Sequence, residues 1–388
     1  MPGLGVSGLR SVLYYERHAT NSTLKTDAAV KKLLFILIAA LSVSAAHAQQ
    51  RNDDVWVYPL EKFTTRYNIR IPDIDGYHTM KCDFHVHTVF SDGQVYPTGR
   101  VNEAWNDGLD AIAITDHIEY HKFTDYIPVG DLNAPYEIAR RRGQEINLIV
   151  IPGSEITRSK PLGHLNALFV TDANELRVDD ELEAVDAAWR QGAYILLNHP
   201  GWPDKNSDLF PVHEKLIAEG KLRGIEVFNG TESYPKAYGY CTEYGLAPFA
   251  DTDIHQMSGH LYRGKLERPM TLVFAKEHSA EAIKEALFAG RTLAFFAHNL
   301  FGSGELISQL VDKCLRVKPL VDPDKPKKRT IEVINDSDIT FSIVYGNYQY
   351  PVEIPGGCTV RIDLDQGSDV TFTNCITGKD EYFVRKLW

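Results

Sequence analysis

Histidine and carboxylate side chains recur between residues 85 and 255 beside the ends of short apolar runs. His85 and His87 flank Val86, a spacing that puts both imidazoles on one face of an extended strand. Asp92 lies in Ser91-Asp92-Gly93, His117 follows Asp116 at the end of the run 111–115, and Glu155 follows the run 148–151 through Pro152-Gly153-Ser154. His164 opens the run 165–170, His199 stands in Asn198-His199-Pro200 after 194–197, and Asp253 and His255 follow 247–250. One histidine after a strand is usually a hydrogen-bonding or capping residue. Six of the chain's 14, accompanied by three carboxylates, point instead to metal binding. Mixed imidazole and carboxylate suits zinc, manganese or iron, whereas magnesium or calcium would require mostly oxygen.

These groups span 170 residues, so the chain must bring them back to one place. Candidate strands at 81–84, 111–115, 148–151, 165–170, 194–197, 224–228, 247–250 and 270–274 alternate with helical patterns. In the segment 180–191, Leu182, Val185, Ala188 and Trp189 share a face; in 279–289, Ser279 is placed to act as N-cap. This alternation predicts an α/β fold with parallel strands and helical crossovers. The C-terminal strand ends of a parallel barrel converge on one mouth. After Leu310 the texture changes. A Lys-, Pro- and Asp-rich stretch at 313–329 reads as a linker, and period-two runs over 330–388 predict a small all-β sandwich.

The blocks His85-x-His87-Thr88-x-x-Ser91-Asp92-Gly93, Gly108-Leu109-Asp110 leading to Thr115-Asp116-His117, Gly153-Ser154-Glu155, Asn198-His199-Pro200 and Asp253-x-His255 resemble, in order, those of the PHP (polymerase and histidinol phosphatase) superfamily. The resemblance covers about residues 80–297, within a barrel domain placed at 80–312. It implies a distorted (β/α)7 barrel, two or three divalent metal ions and metal-dependent hydrolysis of phosphate esters. By the same resemblance, His85, His87, Glu155 and Asp253 hold one ion, and Glu155 bridges to a second held by His164 and His199. Asp92, His117 and His255 hold a third. Some relatives carry a histidine where this chain has Gly93, so a two-ion site is the alternative. The nucleophile expected is hydroxide generated on the metals, with no serine or cysteine nucleophile.

Metal-bound water, His255 or Asp253 could protonate the leaving oxygen. Arg158, in the loop of Glu155, is the first candidate for holding phosphate, followed by Arg263, Lys265 and Arg268. Asp116 and Asp251 either orient a histidine or cap a loop. Trp202, Asn229, Tyr234 and Tyr238 either line the mouth or pack its loops. Two rival functions keep the pocket but change its use: amidohydrolase-like cleavage of a non-phosphate bond, and binding without catalysis.

Over 388 residues, 44% hydrophobic and 24% charged content excludes collagenous, disordered and polytopic membrane chains. A net charge of −11 disfavours a nucleic-acid duplex; the partner that the resemblance implies is a small phosphorylated substrate. Lys31-Lys32, the apolar run 33–43 and Ala46-His47-Ala48 read as a signal peptide cleaved near Ala48, hence export to the periplasm or beyond. That run is too short to anchor the protein across a bilayer core about 30 Å thick. Residues 49–79 form a lead-in to the barrel. If Gln366-Gly367 is a two-residue hairpin, Cys358 and Cys375 face each other at disulfide spacing, which export to an oxidising compartment would permit.

Overall fold

The computed structural model describes residues 65–262, 268–320, 330–346 and 350–388. The leader at 1–48, most of the lead-in, Arg263 and Lys265 lie outside the described residues. The strands that carry the site are β1 (His78–Asp83), β2 (Ala111–Ile114), β3 (Ile149–Thr157), β4 (His164–Leu168), β5 (Tyr194–Leu197) and β6 (Leu222–Asn229). A two-residue β7 (Glu232–Ser233) folds back on β6, and β8 (Ala247–Asp251) pairs beside β6 in parallel. The order is β1-β2-β3-β4-β5-β6-β8, and a parallel bridge between Val86 and Ile254 brings the chain after β8 against the chain after β1. This is the distorted seven-stranded arrangement anticipated from the sequence.

Strands such as β2 and β5 are wholly buried, as strands covered on both faces must be. The helices start where capping residues allow. The Asp180 carboxylate accepts from the amides of Leu182 and Glu183 to open Glu181–Arg190, and the Ser279 hydroxyl accepts from the Ala282 amide to open Ala280–Phe288.

The expectation of uniformly parallel strands needs correction at β4, which runs antiparallel to both β3 and β5. Only residues 158–163 connect β3 to β4, too few for a parallel crossover. The reversal has a functional result: the start of β4, with His164, lies where parallel neighbours have their ends.

Beyond the ring the sheet continues through β9 (Met270–Ala275), antiparallel to β1, then β10 (Thr292–Phe296) and β11 (Asn299–Gly302). The expected linker at 313–329 is also corrected. Lys313 belongs to the helix Gly304–Cys314, and Leu315–Leu320 forms β12. Leu315 points inward and Arg316 outward, a period-two pattern obscured by the Lys and Pro content. Pro319 is tolerated because β12 is an edge strand. Residues 321–329 lie outside the described set.

The all-β region then adds β13 (Thr330–Asn335), β14 (Phe341–Tyr345), β15 (Val352–Ile354), β16 (Thr359–Asp363), β17 (Asp369–Gly378) and β18 (Glu381–Lys386). One sheet has the order β12-β13-β16; the other joins β15, β14, β17 and β18. Alternate residues of β13 and β14 are buried, as their period predicts. β17 also pairs in parallel with β11, Leu300 opposite Cys375, so this region continues the barrel's sheet. That topology removes the proposed disulfide: β16 and β17 belong to different sheets and form no hairpin, and Cys358 and Cys375 are free thiols. Among the described residues, no helix is long and apolar enough to cross a membrane.

Candidate metal centre

The nine residues singled out by type and position meet at the mouth of the ring. Glu155, fully buried on β3, is the hub. Its Oε1 lies 3.1 Å from His164 Nδ1, 3.3 Å from His199 Nε2 and 3.4 Å from His85 Nε2. Its Oε2 lies 2.7 Å from His117 Nδ1 and 3.5 Å from His87 Nε2. Asp253 Oδ1 sits 3.2 Å from His85 Nε2 and 3.0 Å from His87 Nε2. On the far side of His87, Asp92 Oδ1 is 3.0 Å from His255 Nε2 and 3.5 Å from His117 Nε2. Ligand-type atoms therefore gather in overlapping groups: His85, His87 and Glu155; Glu155, His164 and His199; His85, His199 and Asp253; and His87, Asp92, His117 and His255.

Burial alone would neutralise these groups, pushing carboxylates up and imidazoles down. Pairing reverses this for most of them. Glu155 is held well below the usual carboxylate range by His117 and His85, and Asp253 likewise by His85 and His87. Asp253, Glu226 and Glu155 raise His85 well above the usual imidazole value. Against its own burial, His117 is lifted to about 9 by Glu155, Asp92 and Asp253. His87 is the exception, lowered to about 3 by burial and the neighbouring His117.

The cage suits cations for a further reason. His85 Nε2, His87 Nε2 and Glu155 Oε2 are buried, aimed into the shared space, and meet Asp253 or His117 at ion-pair distance without forming a regular hydrogen bond. Divalent ions among these atoms would satisfy all three, and the mixed nitrogen and oxygen donors fit zinc, manganese or iron.

Surrounding groups fix the ring orientations. Glu226, buried in β6, accepts from His85 Nδ1 at 2.7 Å, from the His199 backbone amide and from Asn229 Nδ2. It thereby turns His85 Nε2 toward the cage. Sequence reading passed over Glu226. A usable signal was present, since an acid inside the buried run Leu222–Asn229 must be paired. Asn198 Nδ2 donates to Glu155 Oε1 at 2.8 Å, and the Asp253 carbonyl accepts from His255 Nδ1 at 2.7 Å.

The open choices for Asp116 and Asp251 resolve to loop holding. Asp116 accepts from the Thr88 amide and hydroxyl and from the Ser91 hydroxyl, while Asp251 accepts from the Phe84 amide. At Gly93 a Cβ would meet the His87 carbonyl oxygen at 2.6 Å, so the first loop closes tightly only with glycine there.

Arg268 is not at the mouth, a correction to its role as a phosphate contact. It is buried and ion-paired to Asp83 at 2.8 Å and Asp107 at 2.6 Å. Asp83 in turn accepts from the Thr252 amide and hydroxyl, beside Asp253, whose backbone is left-handed with φ of 50°. Arg158 does line the cleft, but its guanidinium is tied to Glu119 at 2.9 Å and to the carbonyls of Val178 and Asp179. Of the four residues expected to line or pack the mouth, Trp202 lines the cleft. Tyr238 stacks on Phe301, Tyr234 donates to Glu232, and Asn229 serves Glu226. The cleft above the cage encloses about 540 Å³, with Asp92, His117, Asp253 and His255 facing it.

Residues 83–234 match the PHP domain. The chain is similar to the crystal structure of a two-domain protein from Bacteroides vulgatus containing a predicted PHP-like metal-dependent phosphoesterase. Sequence identity is 37%, the TM-score is 0.77, and the match covers 83% of this chain and 98% of that one. It is also 29% identical over 188 residues to an uncharacterized protein of Methanocaldococcus jannaschii, covering 45% of this chain and 82% of that protein. With its metal-ligand-type cage and a relative aligned over nearly its whole length, this chain belongs to the PHP family.

Proposed function

We propose that the protein is an exported, metal-dependent hydrolase of small phosphate esters. The observation that carries this reading is the convergence of six imidazoles and three carboxylates, five of the nine buried, on one overlapping set of ligand-type atoms beneath an open cleft. Two or three zinc, manganese or iron ions would be held by His85, His87, Glu155 and Asp253, by Glu155, His164 and His199, and by Asp92, His117 and His255. Bound there, such ions supply a water of lowered pKa and charge neutralisation for in-line phosphoryl displacement.

The chain's own residues provide the rest. Glu226 and the Asp253 carbonyl fix the Nδ1 atoms of His85 and His255, so both Nε2 atoms face the site. Asp253 and His255, 22% and 32% exposed, open most onto the cleft. Asp253, however, is held ionised by His85 and His87, and His255 Nδ1 is engaged by the Asp253 carbonyl, so the proton for the leaving oxygen would come from water. Arg158 adds positive charge on the cleft wall, discounted by its pairing with Glu119. A net charge of −11 keeps duplex nucleic acid off the surface and leaves a small substrate as the partner.

The test combines metal analysis of the purified protein with phosphate release from a panel of phosphomonoesters, phosphodiesters and nucleotides. Glu155→Gln should lower release on the order of 10³-fold with loss of bound metal. Unchanged release in Glu155→Gln, or retained metal with no release from any ester, would overturn the reading.

A further inference from the structure

Beside the metal cleft, and sharing Arg158, His164, His199 and Trp202 with it, lies a second cavity of about 260 Å³. Ligand pockets commonly enclose about 300–1,000 Å³. At this size it has room for a single moiety of a molecule whose remainder would occupy the cleft.

The charged groups on its wall are already engaged. Arg158 is tied to Glu119 and two carbonyls; Lys160 Nζ donates to Asp204 at 2.6 Å and to the Asn206 carbonyl at 2.7 Å; Asp208 pairs with Lys236. His213 uses both ring nitrogens, Nε2 toward the Leu162 carbonyl at 2.7 Å and Nδ1 accepting from the Phe210 amide at 3.1 Å. A charged ligand group would have to displace one of these pairs. Apart from Ser159 and Asn198, the rest of the wall is apolar: Leu162, Leu197, Pro200, Pro203 and Phe210 line it together with Trp202. The Trp202 indole is 56% exposed, and its ring lies 5.0 Å from that of His164 and 6.1 Å from that of His199. A large aromatic left half in solvent, at the junction of the cage and an apolar cavity, offers a stacking face.

We propose that this side cavity receives the leaving group of the ester, and that the group carries an aromatic ring stacked on Trp202. The inference rests on the phosphoesterase reading. In the reaction, water adds to phosphorus, the P–O ester bond breaks, and the leaving oxygen gains a proton. The products are inorganic phosphate and the ring-bearing alcohol.

The experiment compares phosphate release from phenyl phosphate, adenosine 5′-monophosphate and glycerol 3-phosphate by the metal-loaded protein. Calorimetric binding of phenol and adenosine gives a readout that needs no turnover. At least one aromatic ester should exceed glycerol phosphate in kcat/KM by about tenfold, mostly through KM. Trp202→Ala should collapse that ratio and the ring binding, and Trp202→Phe should recover both; Trp202→Phe also keeps the comparison readable if Trp202→Ala melts early. A preference for the phenyl ester puts the ring on the ester oxygen, and one for the nucleotide puts it a sugar away; either supports the assignment. Equal use of all three esters, with a ratio indifferent to Trp202, overturns it and leaves phosphoesterase activity standing. Retained metal without phosphate from any ester overturns both.

Discussion

At the barrel mouth, nine titratable side chains lie within hydrogen-bonding or ion-pairing reach of one another, several of them fully buried. In the C-terminal sandwich, the equally buried Phe341 and Phe372 meet edge to face at 5.8 Å, and Phe383 packs on Phe372 at 5.6 Å. Polar groups there satisfy themselves. Asn335 Nδ2 donates to the carbonyls of Ile339 and Ile354, and the Ser337 hydroxyl donates to Asn335 Oδ1. Apolar burial completes the sandwich interior without outside help. The cage instead sets acids against imidazoles at ion-pair distances, with His85 Nε2, His87 Nε2 and Glu155 Oε2 left outside regular hydrogen bonds, an arrangement that bound cations would stabilise. The two regions share one continuous sheet through β11 and β17 yet should respond to different perturbations.

The largest expected separation comes from Phe372→Ala. Truncating this buried ring should destabilise the protein by about 3–5 kcal/mol, read as a shift in the urea or thermal midpoint. Metal content per folded molecule should not change. If metal is lost while the fold persists, the two regions are not independent. Glu226→Gln probes the other side. The change keeps the shape of the side chain but removes the charge that holds His85 Nδ1, so metal affinity should fall about ten- to hundredfold. Chelator competition measures this, and an unchanged affinity would show that Glu226 does not orient the cage.

How much of this was legible in the sequence follows from what local patterns encode. The cage residues were visible because polar groups at the ends of apolar runs break the run where a strand must stop. Glu226 was missed because it sits inside such a run, between Ile225 and Val227, where its burial depends on neighbours distant in sequence. Strand direction has no local signature: β4 is a buried, mostly apolar run like its neighbour β5, and only the short connection at 158–163 discloses its reversal. The β10–β11 hairpin escaped notice because its turn residues, Ala297 and His298, are both left-handed without the Asn or Gly that normally marks such a turn. Arg268 looked available for phosphate because sequence cannot show that Asp83 and Asp107 have already claimed it.

The smallest effect sharpens the comparison through pH. In the metal-free cage, burial disfavours the charged form of His117, but Glu155, Asp92 and Asp253 raise it to about 9, so at neutral pH it carries a proton. Its unfolded value is about 6.5. A raised imidazole stabilises the folded chain fully below the unfolded value, and that contribution is lost as pH rises through the folded value. The metal-free protein should therefore lose this increment between about pH 6.5 and 9. A cation needs neutral rings and must displace their protons, so metal affinity should rise by at least about tenfold per pH unit over the same interval. The rise should be steeper where His85, His199 and His255, also raised against their own burial by carboxylate neighbours, release theirs. His87, lowered to about 3, is already neutral there and contributes no proton. Competition with a chelator of known protonation, run from pH 6 to 10, reads the slope directly. The stabilisation conferred by added metal should grow with pH in parallel, while the cost of Phe372→Ala in the metal-free protein stays constant. An affinity independent of pH would mean that His117 is not protonated in the empty cage, and the ion-pairing account of its interior would fail.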